Sequence, residues 1–358
     1  MISPPLILQA LRQPDALASL SLANWDLLIR QARNANLLAH LAALLEELSL
    51  IEHIPPQPRA YLESSLLIAE RHLQAVQWEV TLIRKALTKI GVPVILLKGA
   101  AYVMAKLPAA RGRLFSDIDI MVPKDSLNEV EAALMLHGWA ATHHDAYDQR
   151  YYRTWMHELP PMRHIKRSTV IDVHHAVLRE TAYLHPDTAK LRAAAQALEA
   201  YDDLKVFAPI DMVLHSATHL FHEAELHNGL RDLIDIDSLL NHFSNLPSFW
   251  PKIVDRAQEL ELTRPLFYAL RYCALILQTT IPQDTMRAAE AGCPNRLMLA
   301  LMDSLFTRAL MPIHSSCSDR FTGTARRLLF VRANWLRMPP FMLARHLFHK
   351  AFVSPKAE

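Results

Sequence analysis

The spacing of apolar residues changes along the chain and divides the sequence into a helical beginning, a short region of strands and a long helical end. Apolar residues recur at helical intervals over 24–50. After a proline-rich break at 54–58, the same pattern predicts one long helix over 59–90. Gly91 follows that helix as a C-terminal cap would. From residue 187 onwards helical spacing dominates again.

Short aliphatic and β-branched runs predict strands in the middle of the chain. They cover residues 93–97, 116–122, 139–142, 151–159, 162–165 and 169–174, with helices expected over 100–106 and 127–137. This irregular order indicates an α+β fold and not a repeated βαβ unit. We therefore predict a mixed β-sheet core at 92–180 between an N-terminal helical region (1–91) and a C-terminal helical region (181–358), in a chain that is mostly helical. Residues 204–207 are predicted to be only a short extended link.

The composition is that of a folded, largely helical protein. Hydrophobic residues make up 51% of the chain, which is enough for a sizeable core, and only seven glycines are present. A net charge of +2 does not demand a polyanionic partner. Cys273, Cys293 and Cys317 show no metal-ligand spacing and fit a reducing compartment. Since neither a signal peptide nor a membrane span is evident, we expect a cytoplasmic protein.

Basic side chains are frequent towards the C-terminus. They are Arg320, Arg326, Arg327, Arg332, Arg337, Arg345 and Lys350. We favour packed helices whose arginines reach towards solvent. A weak contact of these basic helices with an anionic surface or with nucleic acid is the alternative, and the charges lack the clustering of a strong nucleic-acid signal.

Two acids on one predicted strand are the first candidates for chemistry. Side chains at i and i+2 of a strand share a face, so Asp117 and Asp119 point the same way while Ile118 and Ile120 point into the core. Asp172 lies at the centre of another strand. If that strand pairs beside the first, three carboxylates surround one divalent-cation site, as in metal-dependent phosphoryl or nucleotidyl transfer. A solvated strand edge is the alternative for the pair, and a turn cap or a salt bridge is the alternative for Asp172.

Several histidines lie near these acids or in regular spacing. His174 shares a strand face with Asp172 and is a candidate for the acceptor side of the site. His215, His219 and His222 fall on one face of a predicted helix, but the glutamate of an H-E-x-x-H zinc motif is missing. We therefore interpret the three histidines as part of a packed helix edge, one that could face the acceptor cleft.

The segments LLKG, SDIDIMV and VIDVHH, with a basic loop after the first, resemble the nucleotidyltransferase superfamily of DNA polymerase beta type. More narrowly, they resemble a bacterial family of uncharacterised nucleotidyltransferases, and the resemblance extends over about residues 20–348. This chain has Gly99-Ala100 where the wider superfamily has Gly-Ser, so a side-chain hydroxyl is missing at that position.

The resemblance implies transfer of a nucleoside monophosphate from an NTP such as ATP to an acceptor, with Mg²⁺ or Mn²⁺. It makes Asp117, Asp119 and Asp172 the metal ligands and catalytic carboxylates, with Asp172 as the candidate general base for the acceptor.

The resemblance also implies a nucleotide-binding set. Gly99, Ala100 and Ser116 would hold the phosphates, and Lys98 and Arg113 would neutralise their charge. A salt bridge that positions the loop is the alternative for Arg113. For Lys98 the alternative is the exposed end of a buried strand.

The acceptor and the turnover itself stay open at this stage. A sugar, a glycan precursor, another small molecule, a protein side chain or an RNA end are all candidates, and the weak overall charge argues against a large RNA. A non-catalytic nucleotide-binding or scaffold protein that keeps the same fold is the alternative function, favoured by the missing serine after Gly99.

Overall fold

A single mixed sheet organises the structure, a computed structural model that describes residues 4–142, 146–222, 226–339 and 341. Its strands in this part of the chain are β1 (Val94–Leu96), β2 (Asp117–Met121), β3 (Trp139–Ala141), β4 (Met162–His164), β5 (Val170–His174), β6 (Gln196–Leu198) and β7 (Tyr201–Val206). The spatial order is β3-β4-β5-β2-β1-β7-β6. The acidic strand β2 therefore lies at the centre, where neighbours on both sides fix its register.

The pairing around β2 combines both strand directions. β1 runs antiparallel to β2, and β5 runs parallel to it. β7 pairs in parallel with the other edge of β1. The inward-pointing residues of β2 are buried, with Ile118 at 5% and Ile120 at 0% exposure, as the alternation of the sequence predicts.

Four α-helices precede the sheet in the described residues. They are α1 (Leu6–Arg12), α2 (Leu22–Asn34), α3 (Leu38–Glu47) and α4 (Pro56–Leu87). The helical pattern over 24–50 is thus divided in two at Asn36, whose backbone adopts the left-handed conformation (φ 54°) that asparagine tolerates better than most residues. The long helix predicted over 59–90 is present as α4, and Gly91 follows it with φ 69°.

Three α-helices lie within the described part of the strand region, namely α5 (Lys98–Met104), α6 (Leu127–Leu136) and α7 (Ala146–Trp155). The strand predicted over 151–159 is wrong, because α7 occupies its first half. Tyr151 and Trp155 are four residues apart, and their ring centroids lie 5.7 Å from each other. This i, i+4 contact is available only in a helix, and a short aromatic run did not distinguish it from strand alternation.

The remaining helices follow residue 187. They are α8 (Thr188–Ala194), α9 (Pro209–His222), α10 (Gly229–Phe243), α11 (Phe249–Glu259), α12 (Thr263–Tyr272), α13 (Gln283–Ala289), α14 (Arg296–Ala309) and α15 (Thr322–Arg337). The predicted link at 204–207 is instead mostly strand β7. Because β6 and β7 join the sheet from beyond residue 180, the core draws on the C-terminal region as well. The three-region division itself stays a prediction.

Some of the basic residues at the C-terminal end contact the packed helices, as the packing interpretation predicts. Arg326 and Arg332 donate hydrogen bonds to the backbone carbonyls of Met311 and Phe221. Arg345 and Lys350 lie outside the described residues. Contact with an anionic surface stays a prediction. Within the ranges that the structure describes, none of the helices combines the length and the apolar character that a membrane span requires.

Candidate active site at the centre of the sheet

Three carboxylates meet where β2 and β5 run side by side. The parallel register places Asp119 opposite Asp172, and Asp117 lies two residues earlier on the same face of β2. One carboxylate oxygen of each residue lies within 4.8 Å of those of the other two. The two strands therefore pair, and the three carboxylates come together as the sequence predicts for that case.

The carboxylate of Asp172 is not neutralised by its surroundings. Its Oδ1 is buried and has no hydrogen-bond partner among the residues that the structure describes. Burial, followed by the charges of Asp119 and Glu158, raises the pKa of Asp172 to about 7. The charge of His174 offsets this shift only in part, and a bound cation would supply further positive charge.

Asp119 is in the opposite situation. Burial alone would raise its pKa, but Lys98 and His174 outweigh burial and hold the pKa of Asp119 well below its usual range. Nζ of Lys98 and Nε2 of His174 both donate to Oδ1 of Asp119, each over 3.0 Å. Asp119 therefore stays ionised, with one of its two oxygens engaged by these two donors.

Lys98 reaches Asp119 from an unusual backbone conformation. It joins β1 to α5 with φ 44°, a left-handed value that costs a non-glycine residue about 1 kcal/mol or more. Its side chain is 21% exposed and pairs with the buried carboxylate of Asp119. The interpretation of Lys98 as a mere exposed strand end is wrong, because the ammonium group belongs to the acidic site.

Glu158 completes a chain of contacts that sequence reasoning missed. Its Oε2 lies 3.3 Å from Nδ1 of His174, whose Nε2 donates to Asp119. Burial would lower the pKa of His174, but Asp119 and Glu158 raise it. An isolated bridge between the backbones of Glu158 and His174 holds the two together. His174 is only 5% exposed, so its contacts with Asp119 and Glu158 are shielded from solvent.

A cavity of about 260 Å³ opens beside Asp117 and Asp119, between the sheet and α9 and α10, and Asp172 is not among the residues that line it. Lys98, Arg113, Ser116 and His219 line it, whereas His222 of the same helix borders a different cavity and His215 lines neither. Polar side chains dominate its walls, which fits a charged ligand better than an apolar one.

The guanidinium groups that line this cavity form ion pairs with carboxylates of α10. Nε of Arg113 donates to Oδ2 of Asp235 over 2.9 Å, and both side chains are largely buried. Arg231 pairs with the adjacent Asp232 over 2.7 Å. The salt bridge that was the alternative interpretation of Arg113 is thus present, and Arg113 also lies on the cavity wall. No sequence motif assigns Asp235 to this role, because the contact joins residues far apart in the chain.

The predicted nucleotide-binding residues take different positions around the cavity. Gly99 borders it and lies directly beneath Arg113, where a Cβ would come within 2.5 Å of Nη1. Ala100 is buried at 1% exposure. Ser116 is exposed and donates to Oδ1 of Asp117 over 2.7 Å.

The donor set fits a hard divalent cation. All three ligands are carboxylates, and oxygen donors of this kind suit Mg²⁺ and Mn²⁺ better than softer metals. The unpartnered oxygen of Asp172 and the mutual repulsion of the three acids are both relieved by a bound cation.

Comparison with known proteins agrees with this geometry. A family model described as uncharacterised nucleotidyltransferase matches residues 21–278 of the 358. The match includes all seven strands, the three carboxylates and the cavity wall, and it ends before α13. No curated protein matches the chain. Because the family model covers well over half of the sequence, the chain belongs to this family of uncharacterised nucleotidyltransferases.

Proposed function

We propose that this protein transfers a nucleoside monophosphate from an NTP to an acceptor in a reaction that depends on a divalent cation. One observation carries the proposal: three carboxylates on adjacent parallel strands approach one another within 4.8 Å, and a buried oxygen of Asp172 has no partner in the described part of the chain. A fold that only needed a stable sheet would gain nothing from this arrangement, since like charges at this distance repel.

Each of the three carboxylates has a role in the proposed reaction. Asp117, Asp119 and Asp172 would hold Mg²⁺ or Mn²⁺, which lowers the pKa of an attacking hydroxyl and offsets the charge of the triphosphate. Asp172 is the proposed acceptor of the proton from the attacking hydroxyl. Glu158 and His174 orient Asp119 through the contacts described above, and this makes His174 a positioning residue at the back of the site.

The phosphates would lie against the cavity wall formed by Lys98, Gly99, Arg113 and Ser116, with the Gly99-Ala100 backbone at the start of α5. Lys98 and a divalent cation compete for the carboxylate of Asp119. We therefore propose that Lys98 gives up Asp119 when a cation binds and turns its charge towards the triphosphate.

Titration calorimetry with NTP in the presence and absence of Mg²⁺ or Mn²⁺ tests the proposal. The wild type should bind NTP only with the cation, and Asp117→Asn should weaken that binding at least tenfold, because a carboxylate ligand is replaced by a neutral amide. Asp117 is half-buried and bonded only to Ser116 among the described side chains, so this variant should remain folded.

Asp255→Asn is the matched control, because Asp255 is an exposed acid outside the cavity. It should bind NTP like the wild type. Failure of the wild type to bind at millimolar NTP, or equal losses in both variants, would contradict the proposed function.

A second candidate function is non-catalytic nucleotide binding. It is favoured by the pairing of Lys98, Arg113 and Arg231 with carboxylates and by Ala100 in place of serine. Both functions predict cation-dependent binding, so release of pyrophosphate or transfer of labelled NMP distinguishes them. Screening sugars, small hydroxylated molecules and protein acceptors in that assay addresses the acceptor, which the polar cleft restricts only to hydrophilic classes.

A further inference from the structure

A second and larger cavity lies among the C-terminal helices. Its volume is about 630 Å³, and it is bordered by α9, α12, α14 and α15. Helix α9 separates it from the acidic cleft, because Ser216 and His219 line the cleft while Phe221 lines the second cavity. None of the three carboxylates reaches it, so the proposed nucleotidyl transfer gives it no role.

The walls of this cavity are almost entirely apolar. Phe221 and Tyr268 form its inner end, within a cluster of aromatic rings. At the rim, Leu301, Val331 and Trp335 are exposed to 45%, 61% and 52%. Large apolar side chains that remain exposed around a concave surface are typical of a site for an apolar ligand.

Two arginines and His222 interrupt the apolar lining. The guanidinium of Arg332 lies 5.7 Å from the ring centroid of Tyr268 and donates to the carbonyl of Phe221. Nε of Arg264 is buried without a hydrogen-bond partner in the residues described. Among the residues that the structure describes, neither Arg264 nor Arg332 forms an ion pair with a carboxylate.

Other arginines of the chain do form ion pairs with carboxylates, unlike Arg264 and Arg332 in the described residues. Arg256 pairs with Asp211, and Arg271, which is on α12 like Arg264, pairs with Asp303. Arg264 also lies in the first turn of α12, where the helix dipole disfavours a cation and where no acidic residue compensates. Burial and the neighbouring charge of Arg264 lower the pKa of Arg332. Among the described residues, no carboxylate therefore compensates the positive charge of Arg264 and Arg332 in this apolar cavity.

We propose that this cavity binds a single-chain fatty-acid-like anion, with its hydrocarbon chain among the apolar side chains and its carboxylate between Arg264 and Arg332. A guanidinium presents paired N–H donors that match the two oxygens of a carboxylate. A phosphate head is less suitable, because removing a doubly charged group from water into apolar walls costs more than removing a singly charged one. The inference does not rest on the proposed nucleotidyl transfer.

Calorimetric titration of the full chain with dodecanoate, below its micellar concentration and without nucleotide, tests the proposal. Dodecanoate should bind at least tenfold more tightly than dodecanol, and decanoate and octanoate should bind progressively more weakly, by about fourfold per methylene removed. Arg264→Gln and Arg332→Gln should each reduce the affinity for dodecanoate about tenfold.

Two further variants guard against loss of folding and against unspecific charge effects. Leu301→Asp adds a negative charge at the exposed rim, where it should fold normally and weaken dodecanoate binding about tenfold. Arg327→Gln removes an exposed arginine of α15 outside the cavity and should leave binding unchanged. Thermal unfolding of each variant verifies that it is folded.

Several results would overturn the proposal. They are no binding of dodecanoate by the wild type, equal binding of dodecanol, an equal loss in Arg327→Gln, and tighter binding of dodecyl phosphate than of dodecanoate. Binding that appears only after deletion of residues 342–358 would identify the chain's own C-terminal residues as the occupant and would equally overturn it.

Discussion

The carboxylate of Asp172 opposes stability in the absence of a cation. It faces two other acids, and its Oδ1 has no partner in the described structure, so removing its charge should stabilise the protein. We predict that Asp172→Asn raises the free energy of unfolding by about 2 kcal/mol at pH 8 in EDTA, although it abolishes cation-dependent NTP binding. Chemical denaturation and calorimetry measure the two effects.

The pH dependence of this effect follows from the sign of the shift. The pKa of Asp172 in the folded state is raised from 3.8 to about 7, so the wild type loses stability relative to the variant as the pH rises through that range. The stability difference between variant and wild type should therefore be larger at pH 8 than at pH 5. A difference that is the same at both values would show that charge repulsion is not its cause.

Glu158 provides a test of the contact chain behind Asp119. Glu158→Gln weakens its interaction with His174 and loosens the orientation of a ligand carboxylate, so Mn²⁺ binding should weaken about tenfold. Glu180→Gln is the control, because Glu180 is exposed and pairs only with Lys124 among the described side chains. Calorimetry with Mn²⁺ measures both, and an unchanged affinity in Glu158→Gln would contradict the positioning role.

Local sequence pattern predicted some of these residues and not others. Asp117 and Asp119 follow from strand alternation within five residues, and Asp172 required only the assumption that two strands pair. Glu158 follows a helix that was predicted as a strand. Asp235 contacts Arg113 across 122 positions. Such partners depend on tertiary packing, which a local pattern does not contain.

At the scale of elements, the turn from β1 into α5 depends on close packing of Gly99 beneath the Arg113 loop. A Cβ on residue 99 would lie 2.5 Å from Nη1 of Arg113 and 2.8 Å from the ring of Phe115, and the pair with Asp235 prevents Arg113 from moving freely. We predict that Gly99→Ala lowers the free energy of unfolding by about 1–3 kcal/mol and weakens NTP binding.

Gly323→Ala is a suitable control for this substitution. Gly323 is also helical, but a Cβ there meets nothing within 4 Å, so alanine should leave stability equal or raise it by up to about 1 kcal/mol. Thermal and chemical unfolding compare the two. Equal stability of Gly99→Ala and the wild type would show that the loop adjusts without cost.

Helix α4 and most of the short strands were predictable from the local pattern, whereas β7 and α7 were not. Helix α4 repeats its apolar spacing over many turns, which leaves little ambiguity. The pairing of strand β7 with β1 crosses more than a hundred residues, so the segment by itself indicated only extended backbone. The sequence of α7 contains few aliphatic residues, and its aromatic ones suit either structure.

At the scale of the whole molecule, the sheet links regions on both sides of the predicted core. Val94, Ile95 and Leu96 of β1 pair with β7, which lies beyond residue 180. A fragment of residues 92–180 would leave that edge of β1 open, so we predict that it shows no cooperative thermal transition, whereas the full chain does. Circular dichroism during heating provides the comparison. A cooperative transition in the fragment would establish the core as an independent domain.

The same pairing also has a consequence during synthesis. The apolar strand β1 emerges from the ribosome about a hundred residues before the strand that covers its outer edge, a delay of about 5–20 s at ordinary rates of translation. During this interval a short, fully buried strand of the finished protein is open to pairing with another nascent chain. Slower initiation or a lower growth temperature should therefore increase the yield of folded protein more than a change at the surface would.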